Sequence, residues 1–436
     1  MLKSKSIMAR WVEKIFPHGG VAIVMTTMML ALALLVASMA NITVKKIMEG
    51  FAYDVIIILI SMELFTNLVV GSGVIEWLAT KLSVASKGRK RVCLLCFGGL
   101  MFVISCTLNN ITAVMIVLPV IFVLLRSIDV DRQYMNVFLA VILALSNTGG
   151  AASPIGDFPA IVIMTSGVTT FMRYLLHAFP LFLVTSLLLV VVWSCFVRDS
   201  TSKAERNVGI MLLNSQYKNH NVRWGTVSGL GIVFVAMFLA WSIIPQDIVP
   251  PEGIAMFGYA CAAAFCAWRK EPVAQNVNLQ AVLLLSSFLF FSTTIGQTGW
   301  LSEIAGVLQA SIKDPVLLLV TIMVMTSICA GLFSAGPAAA AMMPVIKELC
   351  ATSFAGQADW VAVAYAASIC AGSSLLMSSA TAGFILSDRV NKAQLPGIDG
   401  QMVEWNFKDY IKFGVVNYLI QMTIAIIWIL IVCRNA

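Results

Sequence analysis

Long apolar segments recur along the whole chain and are separated by short polar connections. A helix of about 20 apolar residues is long enough to cross the hydrocarbon core of a bilayer. The pattern predicts nine crossings, at residues 20–39, 52–72, 137–166, 174–196, 225–244, 253–268, 280–299, 361–386 and 413–433. The connections are too short to hold a soluble domain, so we expect the whole chain to form one membrane unit.

Two further apolar segments, 92–126 and 315–349, carry an interruption near the middle. It is Asn109-Asn110 in the first segment and the tetrapeptide SAGP at 334–337 in the second. We predict that each segment is a hairpin that enters the membrane and returns to the same side. Non-helical backbone is tolerated at membrane depth only where it is buried or lines a cavity, so the hairpin tips are expected near a central cavity.

The two halves of the chain repeat one order of elements. In each half an apolar span ends in a glycine-rich turn and an amphipathic segment, at 64–82 and again at 289–308. A hairpin follows, with Pro-Val-Ile in its second arm at Pro119 and at Pro344, and then an interrupted span and a closing helix. We therefore predict an all-α polytopic membrane protein with two inverted-topology repeats, re-entrant hairpins and interrupted helices. This architecture places a substrate site near the middle of the bilayer.

The repeat also predicts the organisation of the chain. We expect an N-terminal segment with the first span at 1–51 and a first repeat at 52–199. A cytoplasmic linker with an inverting span follows at 200–252, and a second repeat occupies 253–436. The extra crossing in the linker is what turns the second repeat upside down.

Composition excludes a soluble enzyme, and charge predicts an orientation. The chain is 60% hydrophobic and 11% charged, whereas soluble domains carry roughly 25% charged residues. The net charge is +7, but most Lys and Arg lie in connections that the predicted topology places inside the cell, as the positive-inside rule requires. We expect a multi-pass protein of the inner (cytoplasmic) membrane with a cytoplasmic N-terminus and an external C-terminus. Its surroundings are the lipid bilayer, and no nucleic-acid partner is expected.

The interrupted span of the first half is the strongest candidate site. Its central sequence, SNTGGAASPIGD at 146–157, holds three glycines and a proline that cannot share an unbroken helix at low cost. Freed backbone carbonyls and nearby polar side chains can then bind a cation. The candidate ligands in this segment are Asn147, Thr148, Gly149, Gly150, Ser153 and Asp157. A kinked packing helix, with glycines for close contact, is the structural alternative.

Asp157 carries the chemistry of this segment. An isolated charge inside a membrane span costs at least ~2.5 kcal/mol, so we expect Asp157 to bind a cation or a proton. A group that alternates between the two couples their fluxes. Capping of the following half-helix is the structural alternative, and both roles can coexist. Glu63, the other carboxylate within a span, is a second candidate for coupling.

Uncharged polar residues complete the candidate set. Asn109 and Asn110 lie at the first hairpin tip, although they would also suit a simple turn. Their counterparts in the second interrupted span, 371–383, are Ser373, Ser374, Ser378, Ser379 and Thr381. Serine also satisfies the backbone of its own helix, so these residues have a structural alternative, and their lack of charge predicts a lopsided site.

Two of these segments resemble a known superfamily. The sequences LNNITAVMIVLPV at 108–120 and SNTGGAASPIGDFPAIVI at 146–163 are similar to the ion transporter superfamily, whose members carry a citrate-transporter-like domain. The most similar branch holds NhaD-type sodium/proton antiporters, arsenite permeases and the melanosomal P protein. The resemblance implies a homodimer, coupling of sodium or protons through Asp157, and an ion near Asn110 and 147–150. The chain departs from that pattern at the first tip, where an Asp-Asn pair is expected.

Three functional hypotheses follow, of which two are transporters and the third is an enzyme. A Na+/H+ (cation/proton) antiporter working by alternating access fits a fixed carboxylate among carbonyls. A proton- or sodium-coupled permease for a small anion, such as citrate, another dicarboxylate or arsenite, shares the architecture. An intramembrane aspartyl protease would use Asp54 with Asp157 for acid/base chemistry, but it leaves the inverted repeat unexplained. A simple channel is also open, although two hairpins and a titratable group favour a carrier.

No enzymatic activity and no cofactor are expected beyond Na+ or H+ as the coupling ion. The pair Cys93 and Cys96 forms a CxxC sequence, but no second pair or nearby His completes a metal site. The substrate is therefore expected to be a small inorganic ion or a small anion.

Overall fold

The computed structural model describes residues 20–127, 132–197, 222–273, 277, 279–380, 382–393 and 405–435. The regular structure of these residues is α-helical, as predicted. The helices up to the inverting span are α1 (Gly20–Met39), α2 (Val44–Glu49), α3 (Tyr53–Gly71), α4 (Val74–Ala85), α5 (Lys90–Thr107), α6 (Asn110–Ser127), α7 (Arg132–Ala152), α8 (Phe158–Thr165), α9 (Phe171–Cys195) and α10 (Trp224–Ile243).

The remaining helices repeat this order. They are α11 (Pro251–Trp268), α12 (Leu279–Thr298), α13 (Trp300–Ser311), α14 (Pro315–Phe333), α15 (Ala335–Ala351), α16 (Ala358–Ser373), α17 (Gly383–Ala393) and α18 (Phe407–Asn435). Helices α3 to α9 correspond one by one to α12 to α18. The 12-residue helices α4 and α13 are each preceded by a left-handed glycine, Gly73 (φ 79°) and Gly299 (φ 80°). The predicted repeat of elements is therefore confirmed.

Both predicted hairpins are present, because the two ends of each lie together. The Tyr134 hydroxyl at the start of α7 donates to the carbonyl of Lys90 at the start of α5, at 3.0 Å. Since α6 ends at Ser127, just before α7, both arms of the first hairpin open toward the same end of the molecule. In the second hairpin, the Gln309 amide donates to Thr352 Oγ1 at 2.9 Å, which joins the two ends in the same way.

Two ion pairs show that the halves are inverted. Arg132 and Asp409 join the starts of α7 and α18 at 3.1 Å. Arg173 and Asp359 join the starts of α9 and α16 at 3.7 Å. Helix α9 starts where the α7–α8 span ends, so its ion pair places the start of α16 at the end of that span. Helices α7 and α16 correspond in the repeat, yet they begin at opposite ends of the molecule. The interrupted spans of the two halves therefore run in opposite directions.

The interruptions are shorter than the sequence predicted. Helix α7 continues through the predicted break as far as Ala152, and the non-helical segment is only 153–157. In the second half α16 ends at Ser373 and α17 begins at Gly383, and at the second hairpin tip only Ser334 (φ 84°) is non-helical. The reason is that a proline in the first turn, such as Pro337 in α15, fits a helix start. The adjacent glycines Gly149 and Gly150 likewise stay helical, because close packing of neighbouring segments against them stabilises the helix.

Seven described helices are both long and apolar enough to cross a membrane: α3, α5, α7, α9, α10, α14 and α18. Shorter apolar helices cover 26–39, 110–125 and 282–298. A criterion based only on helix length and apolar composition therefore includes hairpin arms such as α5 and leaves out the interrupted helix α16. A count of nine also needs α11, each broken helix joined into one crossing and the hairpins set aside, so the number of crossings stays a prediction.

The helices form an outer group and an inner group. The outer helices α1, α3, α10, α11 and α12 pack on one another, with α1 on α12 and α11 on α3. The inner bundle consists of the hairpins, the interrupted spans and the closing helices α9 and α18, in which α5 packs on α7 and α14 on α16. Every residue from Tyr134 to Ala152 of α7 is buried. The first interrupted helix is therefore enclosed within the protein.

Candidate functional site

Asp157 caps the second part of the first interrupted span. Its backbone is extended (φ −147°, ψ 161°), and its Oδ1 accepts a hydrogen bond from the Phe158 amide at 2.8 Å. The residue is only 7% exposed. Pro154 interrupts the preceding helix, because it has no N–H to donate to a carbonyl one turn back. Asp157 therefore caps α8 and at the same time places a carboxylate inside the protein. The capping role does not rule out the predicted ion-binding role.

The first hairpin tip reaches this carboxylate. Asn110, fully buried, donates from Nδ2 to Asp157 Oδ2 at 2.8 Å. The Ser105 hydroxyl contacts Asn110 Oδ1 and donates to the Ser146 carbonyl at 2.7 Å. Hairpin, interrupted helix and half-helix thus meet at one point through buried polar atoms.

The hydrogen bonds suit an ionised carboxylate without a cationic partner. Both oxygens of Asp157 accept a hydrogen bond from an N–H group. An ionised carboxylate can do this because it only accepts and has lone pairs on both oxygens. Among the described residues, the ion pairs join other side chains, and none of them includes Asp157. Two N–H donors therefore hold the Asp157 carboxylate, and no described ion pair neutralises it.

Two glycines let the surrounding backbone approach closely. A Cβ atom added at Gly149 would lie 2.5 Å from the carbonyl oxygen of Phe102, on α5. One added at Gly150 would collide with the Asn110 amide and lie 2.8 Å from Asp157 Cβ. The glycines are helical residues that admit α5 and the hairpin tip, which is the packing role given above as the alternative. They do not themselves form the break.

A small cavity lies between the two halves, next to Asp157. From the first half it is lined by residues that include Asn147 and Ala151, and from the second half by Ala335, Cys370 and Ser373. Its volume of about 10 Å³ is roughly what a single water molecule requires. Asn147 bridges the halves, since its Nδ2 donates to Ser374 Oγ at 3.3 Å. The carboxylate is thus enclosed and faces the second half.

Three predicted ligands are engaged elsewhere. The Thr148 hydroxyl is 2.7 Å from Ser186 Oγ on α9. Ser153 donates to the carbonyl of Cys106. Asn109 Oδ1 accepts from the amide of Ile111 at 2.9 Å and so caps α6. These three side chains fasten the site, and none of them lines the cavity beside Asp157.

In the second half, serines mostly stabilise their own turn. Ser379 Oγ accepts from the Leu376 amide at 3.1 Å and contacts nearby carbonyls. Ser373 lines the cavity, while its hydroxyl donates to the Cys370 carbonyl at 3.0 Å. Ser378 is half-buried in the same turn, and Thr381 lies outside the described residues. Ala382 occupies the place before α17 that Asp157 occupies before α8, so the described site carries its charge on one side.

The other carboxylates lie apart from the cavity. Glu63 is half-buried on α3, and Asp54 lies in the first turn of the same helix. Neither lines the cavity that Asp157 faces. The paired carboxylates that an aspartyl protease needs are therefore not brought together in that cavity.

Two tyrosines at the site were missed from the sequence. The Tyr174 hydroxyl donates to the carbonyl of Ala151 at 2.7 Å, and the Tyr410 hydroxyl donates to the carbonyl of Ser374, also at 2.7 Å. A signal was present, because each closing helix begins with Phe-x-x-Tyr, at 171–174 and at 407–410. Ser105 was missed too, since one serine in an apolar helix gives no pattern.

A matching family model and a related protein are both described as transporters. A family model described as citrate transporter matches residues 8–369. An uncharacterized transporter of Mycobacterium tuberculosis is 24% identical over 306 residues, which cover 69% of this chain and 70% of that protein. The magnetosome protein MamN of Magnetospirillum gryphiswaldense is 24% identical over 389 residues, covering 85% of each chain.

A solved structure shares the fold. The crystal structure of the Alcanivorax borkumensis YdaH transporter, described as having an unusual topology, superimposes with a TM-score of 0.55. The superposition covers 93% of this chain and 97% of that one, at 12% sequence identity. At this identity the likeness concerns the fold alone.

Proposed function

The chain belongs to the citrate transporter family, and from that premise we propose that it is a secondary active transporter coupled to a cation through Asp157. The observation that carries the proposal is the enclosed carboxylate between the two halves, held by Asn110 and by the Phe158 amide. A buried charge without a cationic partner is costly. Binding of Na+ or H+ neutralises it and stabilises the closed arrangement.

Antiport of Na+ against H+ is the activity that this geometry supports best. Carboxylate, amide and carbonyl oxygens are hard ligands of the kind that alkali and alkaline-earth cations prefer. A proton and a sodium ion compete for the same carboxylate, so each side of the membrane can exchange one for the other. The cycle works by alternating access, in which one unit of the fold moves against the other and opens the enclosed site to each side in turn.

Coupled uptake of a small anion is the second candidate, and the family match favours it. Citrate, another small carboxylate or arsenite would then be carried together with the cation at Asp157. The start of α8 lies at the interruption of the first half, and the start of α15 lies at the second hairpin tip. Such helix starts present N–H groups that favour anions. In this version Asp157 keeps its coupling role, and the anion binds beside the cation.

The setting of the protein is part of the proposal. We propose the inner membrane, a cytoplasmic N-terminus, an external C-terminus and a homodimer, with the NhaD-type branch as the most similar group. Lys and Arg are concentrated from the end of α4 to the first turn of α5, at Lys87, Arg89, Lys90 and Arg91, and this supports the orientation.

A transport assay separates the two candidates. Everted vesicles or proteoliposomes with an imposed pH gradient are given Na+, Li+ or K+, and the gradient is recorded. Collapse on addition of Na+ or Li+ supports antiport. If no cation collapses the gradient, antiport is excluded, and uptake of citrate and other anions driven by Na+ or pH gradients then tests the second candidate.

Replacing Asn110 by Ala tests the role of the hairpin tip. The change removes the amide that donates to Asp157 and the acceptor that contacts Ser105. Because a hydrogen bond to a charged group contributes about 1.5–3 kcal/mol, we expect the half-saturating cation concentration to rise at least about 10-fold. The matched control is Asn109→Ala, whose side chain bonds the Ile111 amide instead. Equal cation dependence in Asn110→Ala and the native protein would contradict this role.

A further inference from the structure

An equivalent tyrosine hydrogen bond is found at the end of each interrupted helix. Tyr174, 1% exposed, and Tyr410, fully buried, occupy equivalent places near the starts of α9 and α18. Each hydroxyl donates at 2.7 Å to a carbonyl at the end of the interrupted helix of its own half, Ala151 or Ser374. The contact therefore follows the inverted repeat.

The bond meets a need that every interrupted helix has. The last four carbonyls of a helix have no amide partner within it, and an unpaired carbonyl inside a membrane protein is costly. A tyrosine supplies one donor from a rigid ring, so it also fixes where that carbonyl points. Tyr174 thereby turns the Ala151 carbonyl toward α9.

The two halves differ in what depends on this bond. Ala151 lines the cavity beside Asp157. Around Ser374, by contrast, Ser379 also holds the turn through its contacts with Leu376 and Ser373. That turn carries no carboxylate among its described residues. Loss of the Tyr174 hydroxyl should therefore disturb the cation site, while loss of the Tyr410 hydroxyl is buffered.

We propose that Tyr174 is a positioning residue for the cation site, and that Tyr410 is its structural equivalent in the half without a charge. Tyr174 acts through the Ala151 carbonyl, which sets where α7 ends relative to Asp157. This inference rests on the proposed function for its effect on transport. The local effect on the helix end does not depend on which ion is carried.

The test compares Tyr174→Phe with Tyr410→Phe, each of which removes one hydroxyl and keeps the ring. We expect Tyr174→Phe to raise the half-saturating Na+ concentration about 5- to 10-fold, with the maximal rate changed by less than about twofold. The outer-helix control Tyr259→Phe should leave half-saturation within about twofold, and Tyr410→Phe should change it less than Tyr174→Phe does. A purely structural role would lower thermal stability in both inner variants without this difference. An unchanged half-saturation in Tyr174→Phe overturns the proposal.

Amide hydrogen exchange on the full chain in detergent gives a second measurement that needs no transport. Tyr174→Phe should speed exchange in the peptide covering 153–158 and leave the peptide covering 374–380 as in the native protein. Unchanged exchange at 153–158 overturns the positioning role. If the native protein shows no cation dependence at all, the proposed function fails, and exchange alone then decides this inference.

Discussion

Replacing Asp157 by Asn is expected to reduce cation-coupled transport at least about 100-fold while the protein stays folded. Asn caps a helix as well as Asp does, so the bond from the Phe158 amide can be kept. The change removes the negative charge and the ability to take up and release a proton. Transport in proteoliposomes measures the loss, and the unfolding temperature checks the fold.

Asp314 offers a matched control for this substitution. It also caps a helix, because its Oδ1 accepts from the Leu317 amide at 2.9 Å at the start of α14, but it is exposed and lies far along the hairpin from the tip. Asp314→Asn should therefore transport like the native protein. Coupled transport at native rates in Asp157→Asn would rule out this carboxylate as the coupling group.

Replacing Gly149 by Ala is expected to lower the free energy of unfolding by about 2–3 kcal/mol. The new Cβ would lie 2.5 Å from the Phe102 carbonyl oxygen and 2.9 Å from Ser105 Cβ. Both belong to α5, whose backbone cannot move away without separating from the fully buried α7. The equivalent Gly372 meets the Ser327 carbonyl in the same way, so Gly372→Ala should behave alike.

Gly99 provides the comparison for these two variants. It lies on the same helix α5 as Phe102, but a Cβ added there has no neighbour within 4 Å. Gly99→Ala should therefore be neutral or slightly stabilising, since Ala favours helix over Gly. Thermal unfolding of the detergent-solubilised protein measures all three. A Gly149→Ala protein as stable as Gly99→Ala would show that α5 and α7 do not pack as described.

Much of the fold could be predicted because the membrane restricts it. A helix forms all its backbone hydrogen bonds within one segment, as a membrane span requires. The lengths of the apolar segments and the order of their interruptions were therefore enough to predict the repeat and its hairpins. The limits of the breaks could not be predicted in the same way. Gly149 and Gly150 are helix breakers by propensity, but tertiary packing against Phe102 and Asn110 keeps them helical.

Charge and position in the sequence were enough to predict some residues of the site but not its geometry. Asp157 stands out because a carboxylate in an apolar span needs a reason, and Asn110 because it lies at a predicted tip. Which polar side chains face the cavity depends on helix rotation and on contacts between distant segments. Thr148 turns to Ser186 and Asn147 to Ser374, for example, although they are adjacent in sequence. Tyr174 needed the comparison of two closing helices that begin far apart in the chain.

The most direct test of the central claim is proton release on Na+ binding to the purified protein in weakly buffered detergent solution. If one carboxylate takes Na+ and H+ in turn, the native protein releases protons when Na+ is added at a pH at which Asp157 is partly protonated. Asp157→Asn should release none, and Asp314→Asn should match the native protein. Undiminished proton release from Asp157→Asn would contradict the account, because the proton and the sodium ion would then meet at another group.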